Sequence, residues 1–431
     1  MFERSDGVTS AGVRSWIAQL VRLDQDLDDA ARIDLIRALE ELKCAAEAAQ
    51  AVVTADFNAS QRAEQAVLGV PVERQGRGVA AQIALARRES PHRGQQHLGL
   101  ASILTTELPH TMAAFRAGRI TEWRATLVAR ETACLSLEDR QAVDAQLAAN
   151  PERIEAMGDA EVVAEARTIA YRLDPISVVE RRSRAERERR VTLRPAPDVM
   201  SQLSALLPVR DGVAVFAVLA GEADRLRATG DARSRSQIMA DALVRRILAT
   251  DAATGAAPKV VINLVVSDRV LWGQCDDAAH LDGYGPVPAD LARELAGTTG
   301  AWLRRLYAAP ETGRLVAMDS RARLVPDKLG QLIRLRDQRC RTPWCDAAIR
   351  PTDHVTSVAE GGETSEVNGQ GLCEACNHTK QAPGWRARPS PGIRHQVETT
   401  TPTGHHYSST APPAVRPRFV EMQPGVWSLA S

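Results

Sequence analysis

The sequence predicts a mainly α chain. A large helical N-terminal domain with a small strand-containing part is followed by a small C-terminal domain organised by four cysteines. Three observations support this. Apolar residues make up 44% of the 431 positions but aromatics only 4%, with Ala, Leu and Val carrying most of the apolar content; that mix favours helices with small-residue packing. Apolar residues recur at three- and four-residue steps through much of the first half. Cysteines are closely spaced only near the C-terminus, as Cys340-x4-Cys345 and Cys373-x2-Cys376. The length allows two or three domains, and the expected boundaries are 15–310 for the helical domain, 321–386 for the cysteine domain and 387–431 for a Pro/Thr-rich tail.

The totals narrow the function classes. With 54 basic and 54 acidic residues, a uniformly basic nucleic-acid glove is excluded, so any DNA-binding surface must be local. Besides the four clustered cysteines, Cys44, Cys134 and Cys275 are dispersed. Such usage fits a reducing cytosol better than a secreted disulfide framework. The first residues lack an apolar core of signal-peptide length, and no run is long enough to span a bilayer. The expectation is a cytoplasmic protein with no membrane partner.

Taken in order, Ser15–Ala59 has helical spacing at Leu20, Leu23, Leu27, Ile33, Leu35, Ile36, Leu39 and Leu42. No proline interrupts it before Gly69, and Cys44 reads as a core residue. Breaks at Gly69–Pro71 and Gly76–Gly78 precede helices expected at Val79–Arg88, His97–Leu108 and Thr111–Arg116. Gly118 is placed to end a helix and Thr121 to cap the next. Leu135–Asn150 and Pro151–Leu173 are further helices. The run Glu180–Arg190 holds six arginines and three glutamates; it reads as a charged helix face in preference to a phosphate-contacting arm. Beyond it, Val191–Leu193 is strand-like and Pro195–Pro197 a turn. Val199–Leu207, Gly212–Thr229, Asp231–Ala249 and Ala289–Leu295 read as helices. Val260–Val266 is the clearest strand, Tyr284–Pro288 a turn, and Trp302–Ala308 with Arg314–Met318 a hairpin around Pro310–Gly313.

Three stretches, VTLRPAPDVMSQLSALLP from Val191, SRSQIMADALV from Ser234 and GYGPVPADLARELA from Gly283, carry a resemblance. The region 15–310 resembles the helical domain of unknown function found upstream of HNH domains in a repeat-type actinobacterial family. The resemblance implies architecture and no biochemical activity for this region. No Gly-rich phosphate loop, nucleophile-base pair or internal repeat is found in it.

A short basic helix, Pro326–Asp337, leads into the clasp. Two short-spaced cysteine pairs suit a tetrahedral Zn²⁺, because each close pair supplies two thiolates and the loop between them brings the pairs together. A closed four-thiolate site has no open position and is structural. Between the pairs and just after them lie Asp353-His354, Ala359-Glu360-Gly361-Gly362, Asn368 and Asn377-His378. Asn368 follows His354 by fourteen residues and Asn377 by twenty-three.

This order of acid-His, Asn and Asn/His is similar to the motif of the HNH endonucleases, and the resemblance implies a ββα-metal fold and metal-dependent hydrolysis of DNA phosphodiesters. It implies His354 as general base and Asn368 as the residue holding the loop and orienting His354. It also implies Asp353 and Asn377 as ligands of a catalytic cation, with His378 competing for the second place. Asp353 and His354, as strand neighbours, should point to opposite faces unless the strand end is kinked. Lys380, Arg334, Arg336, Arg339 and Arg341 would contact phosphates. Relatives in the upstream-domain family usually carry His-His where this chain has Asp353-His354. The oxygen-rich set here suits Mg²⁺ or Mn²⁺ for catalysis, beside a separate structural Zn²⁺. A single such site cuts one strand per engagement, so double-strand cutting calls for a homodimer or two successive events.

The competing reading of the clasp is a plain zinc ribbon, which explains the cysteines but not Asp-His, Gly-Gly and Asn at these intervals. A second alternative is an inert HNH module that binds DNA or regulates. His92, His97, His110 and His280 stand alone and read as core or surface residues, and His405-His406 as part of a turn. Trp344 and Trp385 read as the small core of the cysteine domain in preference to base-stacking platforms.

Overall fold

The computed structural model describes residues 8–22, 26–175, 183, 185–249, 263–297, 306–308, 312, 314–318, 325–414, 419–423 and 426–429. The chain forms two compact units. The first comprises residues 1–56 and 100–175, and the second 57–99 and 176–431.

The first unit is helical. Helix α1 is Ser10–Leu20, and α2, Asp29–Val67, begins here and continues into the second unit. Helix α3, Val79–Arg87, belongs to the second unit, and α4, Pro91–Thr106, ends in the first. The remaining helices of the first unit are α5 Pro109–Arg116, α6 Glu122–Thr132, α7 Leu137–Ala148, α8 Pro151–Ala156 and α9 Asp159–Leu173. Cys44, Leu104, Leu108, Phe115, Ile120, Val128, Leu147 and Ile169 share one buried core, which bears out Cys44 as a core residue. Thr121 caps α6 by accepting from the Arg124 amide at 3.2 Å. Gly118 lies at φ +75°, and a Cβ there would stand 2.7 Å from the Glu41 carbonyl oxygen, so the turn before α6 requires glycine. The buried Asp144 accepts from the His110 and Thr111 amides at 2.7 and 2.9 Å and so caps α5 from α7. The segment expected as one helix over Pro151–Leu173 is two, α8 and α9, because Met157 is extended and Gly158 caps α9.

In the second unit, β1 Arg190–Ala196 and β2 Met200–Leu206 form an antiparallel hairpin. This overturns the helix expected at Val199–Leu207. Asp198 and Val199 both take positive φ, 58° and 61°, in a tight turn closed by the Met200 amide donating to the Pro197 carbonyl at 3.2 Å. The turn overrides the helical propensity of the residues after it. Helices α10 Val209–Ala228 and α11 Arg235–Leu248 follow, the second opened by a capping box of Ser234 and Gln237. Strands β3 Leu264–Val265, β4 Ala279–Leu281 and β5 Gly285–Val287 make a small antiparallel sheet, with α12 Asp268–Leu271 in the β3–β4 connection. The segment expected as a turn at Tyr284–Pro288 therefore contains a strand. Helix α13, Ala289–Ala296, follows. Strands β6 Leu306–Ala308 and β7 Leu315–Met318 pair as the expected hairpin. Residues 260–262 of the expected strand, and residues 180–182 and 184 of the run Glu180–Arg190, lie outside the described residues.

The cysteine-bearing part starts with α14, Val325–Asp337. Strands β8 Thr352–His354 and β9 Gly369–Gly371 pair antiparallel, with Asp353 opposite Gln370 and His354 opposite Gly369. Helix α15, Glu374–Lys380, follows directly. The expected tail is ordered in its first part: β10 Arg386–Ser390, β11 Gln396–Thr400 and β12 His406–Thr410 form a three-stranded antiparallel sheet. The turn around Thr403-Gly404 joins β11 to β12, and Thr403 Oγ1 donates to Gln82 Oε1 of α3 at 2.9 Å. Strands β13 Phe419–Gln423 and β14 Val426–Leu429 form a last hairpin. Among the described residues, no helix is long and apolar enough to cross a membrane.

Candidate functional site

Cys340 and Cys345 sit on the loop after α14. Cys373 caps the N-terminus of α15, and Cys376 lies in its first turn. Their ligand atoms all fall within 4.8 Å of one another. Cys345 Sγ is 3.8 Å from Cys373 Sγ, the edge of a tetrahedron built on Zn–S bonds of about 2.3 Å. The Cys376 amide donates to Cys373 Sγ at 3.4 Å, and Trp344 adopts φ +59° in the loop between the first pair. Cys340, Cys345 and Cys376 are buried. Hydrogen bonding from Cys345 holds the Cys340 thiol down to about 7, and hydrogen bonding with Cys340 holds the Cys373 thiol well below the usual range. The same contacts with Cys340 push Cys345 and Cys376 up. Four thiolates this close repel unless a cation sits among them. The donor set and spacing therefore fit a metal ion such as zinc.

Around the clasp, buried charges hold α14 to β9. Asp337 is fully buried; it accepts from Arg336 Nε at 2.8 Å and from the Gly371 amide at 2.7 Å. Arg336 also donates to the carbonyls of Glu366 and Gly369, at 2.6 and 2.7 Å. Arg341, 5% exposed, donates to the carbonyls of His395 and Ser409, at 3.2 and 2.6 Å. Arg336 and Arg341, two of the expected phosphate contacts, are thus engaged inside the protein. Arg334 and Arg339 are solvent-facing, the first donating to the Arg350 carbonyl and the second paired with Asp346. Asp337 was not singled out from sequence; its signal is the Arg336-Asp337 dipeptide three residues before Cys340, a charged pair entering a closed clasp.

Asp353 and His354 end β8. His354 Nδ1 lies 3.9 Å from Asp353 Oδ1, so these strand neighbours converge as the kinked strand end would require. His354 Nε2 is 2.9 Å from Thr364 Oγ1. Thr364 also escaped the sequence reading, and nothing in the motif spacing marks it. Asn368 is buried and makes three side-chain bonds. It accepts from the Thr356 amide at 2.9 Å and donates to the carbonyls of Thr356 and Glu363, at 3.0 and 2.8 Å. It therefore closes the loop that leaves His354 without touching the imidazole. Gly362 makes that closure sterically feasible, since a Cβ there would stand 2.0 Å from the Thr356 carbonyl oxygen and 2.7 Å from Asn368 Nδ2.

Lys380, at the end of α15, reaches back to this strand end. Its Nζ is 2.5 Å from Asp353 Oδ2 and also donates to the His354 carbonyl. Asn377 stands one turn earlier on the same helix. Its Oδ1 is buried with no hydrogen-bond donor, which is the state of an oxygen left free for a ligand. His378 is exposed and lies 3.9 Å from Glu374 on the outer side of α15. Among the described residues, the four cysteines are the only group of three or more His, Cys, Asp or Glu side chains clustered to hold a metal.

Trp344 stacks edge-on against Tyr407 with ring centroids 6.0 Å apart. Trp385 packs its indole nitrogen over Gly78, where a Cβ would come to 2.4 Å. Trp344 is nevertheless exposed, so it is not the core residue expected of it. Burial pushes the His395 imidazole below its ordinary value, and its Nε2 hydrogen-bonds the Val367 carbonyl at 2.9 Å.

Fold and site together define a mainly helical protein with a C-terminal unit whose four clustered cysteines could hold a metal ion. The chain belongs to the family described as Domain of unknown function (DUF222), whose model matches residues 36–337. This family is associated with HNH domains in actinobacteria. The matched span ends three residues before Cys340, so the clasp, Asp353 and His354 lie beyond it. No curated protein and no solved structure matches the chain.

Proposed function

We propose that the chain is a metal-dependent HNH endonuclease that hydrolyses DNA phosphodiester bonds, with His354 as general base. The observation that carries this reading is a partly exposed imidazole 3.9 Å from a carboxylate at the end of β8, with Lys380 of the following helix reaching that same carboxylate. These stand on two paired strands and a helix fastened by the four-thiol clasp.

In the tautomer whose Nε2–H donates to Thr364 Oγ1, the imidazole lone pair is on Nδ1, which would take a proton from the attacking water. Asn368 fixes the loop and so positions the base; it is a positioning residue. Asp353 and Asn377 would hold Mg²⁺ or Mn²⁺, an oxygen set that suits hard cations. Such an ion supplies Lewis-acid stabilisation of charge on the phosphate and the leaving oxygen. His378, exposed beside Glu374, is the weaker second ligand. The solvent-facing Arg334 and Arg339 are the arginines of the expected set that can steer DNA.

Nicking of supercoiled plasmid with Mg²⁺, Mn²⁺ or EDTA, with His354→Ala in parallel, tests the reading. Cutting that requires both metal and His354 supports it; cutting by His354→Ala at the wild-type rate overturns it. A second reading, an inert module that binds DNA, is favoured by the Lys380–Asp353 ion pair, which occupies an expected ligand oxygen. It predicts salt-dependent DNA binding with no cutting under any metal.

A further inference from the structure

We propose that Lys380 is the resident counter-ion of Asp353, and that its presence makes divalent-cation loading of this site depend on a bound phosphodiester. The inference rests on the endonuclease reading for the identity of the anion. Its test reads metal binding directly.

The argument begins with charge. Asp353 is the one carboxylate of the cluster formed with His354 and Lys380. Its Oδ2 is engaged by Lys380 Nζ at 2.5 Å, and the ammonium is also held by the His354 carbonyl. The Lys380 side chain is only 15% exposed, so solvent screens this pair less than a surface ion pair. One carboxylate and one ammonium sum to zero formal charge. Cation sites of this oxygen type tune affinity by the number of charged ligands. A dication approaching the DNA-free protein therefore meets a neutral site with one carboxylate oxygen already taken and a positive charge beside it.

Rigidity makes the arrangement hard to relax. Lys380 lies four residues after Cys376 and seven after Cys373 on α15, so one helical face carries both clasp ligands and the ammonium. Asp353 is fixed in register by its pairing opposite Gln370. A phosphodiester entering the site brings one negative charge and fresh oxygen ligands, and gives Lys380 a second anion. Metal affinity rises with DNA bound, and by linkage DNA affinity rises with metal bound. Lys380 thereby acts on metal occupancy from inside, in place of the outward phosphate contact its position in the sequence suggests.

Mn²⁺ titration followed by electron paramagnetic resonance, on full-length protein with its zinc content verified, decides this. In the absence of DNA, Lys380→Met binds Mn²⁺ about tenfold more tightly than wild type or more. Lys380→Arg, which keeps the charge, stays close to wild type, and Asp353→Asn added to Lys380→Met removes the gain. In a His354→Ala background that leaves DNA intact, a short duplex tightens Mn²⁺ binding more in the Lys380 protein than in Lys380→Met. Equal or weaker Mn²⁺ binding by Lys380→Met overturns the proposal, as does an equal effect of duplex on both proteins or no Mn²⁺ binding by either. Failure of the endonuclease reading shows separately, as His354-independent cutting or none, and leaves these titrations interpretable.

Discussion

The four-thiol clasp and the Asp353–His354–Lys380 cluster share the same small unit but are built on opposite principles. The clasp is buried, sulfur-rich and closed, with all four ligand atoms facing one another. The Asp353 cluster is half exposed, uses oxygen and nitrogen, and satisfies its one carboxylate with an internal ammonium. Four mutually repelling thiolates need a cation to coexist, so a metal ion held by the first site would contribute folding energy. A carboxylate already paired with an ammonium needs no metal to fold. One helix serves both: α15 begins with Cys373 as its cap and ends with Lys380 on Asp353.

That contrast can be broken most forcefully at the clasp. Cys376→Ser should release the metal and unfold residues 325–411, since structural zinc contributes on the order of 10 kcal/mol; metal analysis and circular dichroism read both losses, and a folded, zinc-free variant would refute the structural role. His354→Ala should do the reverse, lowering plasmid nicking by roughly 100- to 10,000-fold with zinc content and Tm unchanged. Arg336→Ala removes one partner of a buried pair and should cost about 3–5 kcal/mol, measured by denaturant unfolding. Arg334→Ala, by comparison, should leave stability nearly unchanged and reduce the salt slope of DNA binding by about one. Asn368→Ala strips three bonds from the loop after His354 and should cost about 2 kcal/mol, with nicking reduced but zinc retained.

The smallest effect concerns pH. Burial holds the His395 imidazole below its ordinary value, so the unfolded chain binds a proton that the folded chain resists. Stability should therefore rise with pH through the ordinary histidine range and fall as pH drops below it. His395→Gln should flatten that dependence; a denaturant midpoint with the same pH slope in both proteins would show that another group controls it.

Much of this was legible from residue order. The cap at Thr121, the β6–β7 hairpin and the two cysteine pairs stand where local pattern placed them, because each depends on residues within a turn or two, while the helical runs expected over Ser15–Ala59 and Pro151–Leu173 are each broken into two helices. The hairpin at Met200–Leu206 was not legible, since a run with helical propensity follows a turn whose positive φ values at Asp198 and Val199 set the chain's direction. Nor could spacing separate Arg334 and Arg339 from Arg336 and Arg341, although all four crowd one short basic stretch. Which arginine turns inward depends on where the carbonyls of Glu366, Gly369, His395 and Ser409 arrive, and those lie 30 to 68 residues away in sequence.

By itself, then, the sequence determined the mainly helical architecture, the clasp and the identity of the residues that could do chemistry, since these follow from local periodicity and ligand spacing. Only the tertiary structure decided their roles within the site. It turned Lys380 onto Asp353, left His378 facing solvent, gave His354 a partner in Thr364 and left Asn377 Oδ1 without a donor. Charge pairing and burial are properties of neighbours in space, and the neighbours here are brought together by strand pairing and the helix that the clasp anchors.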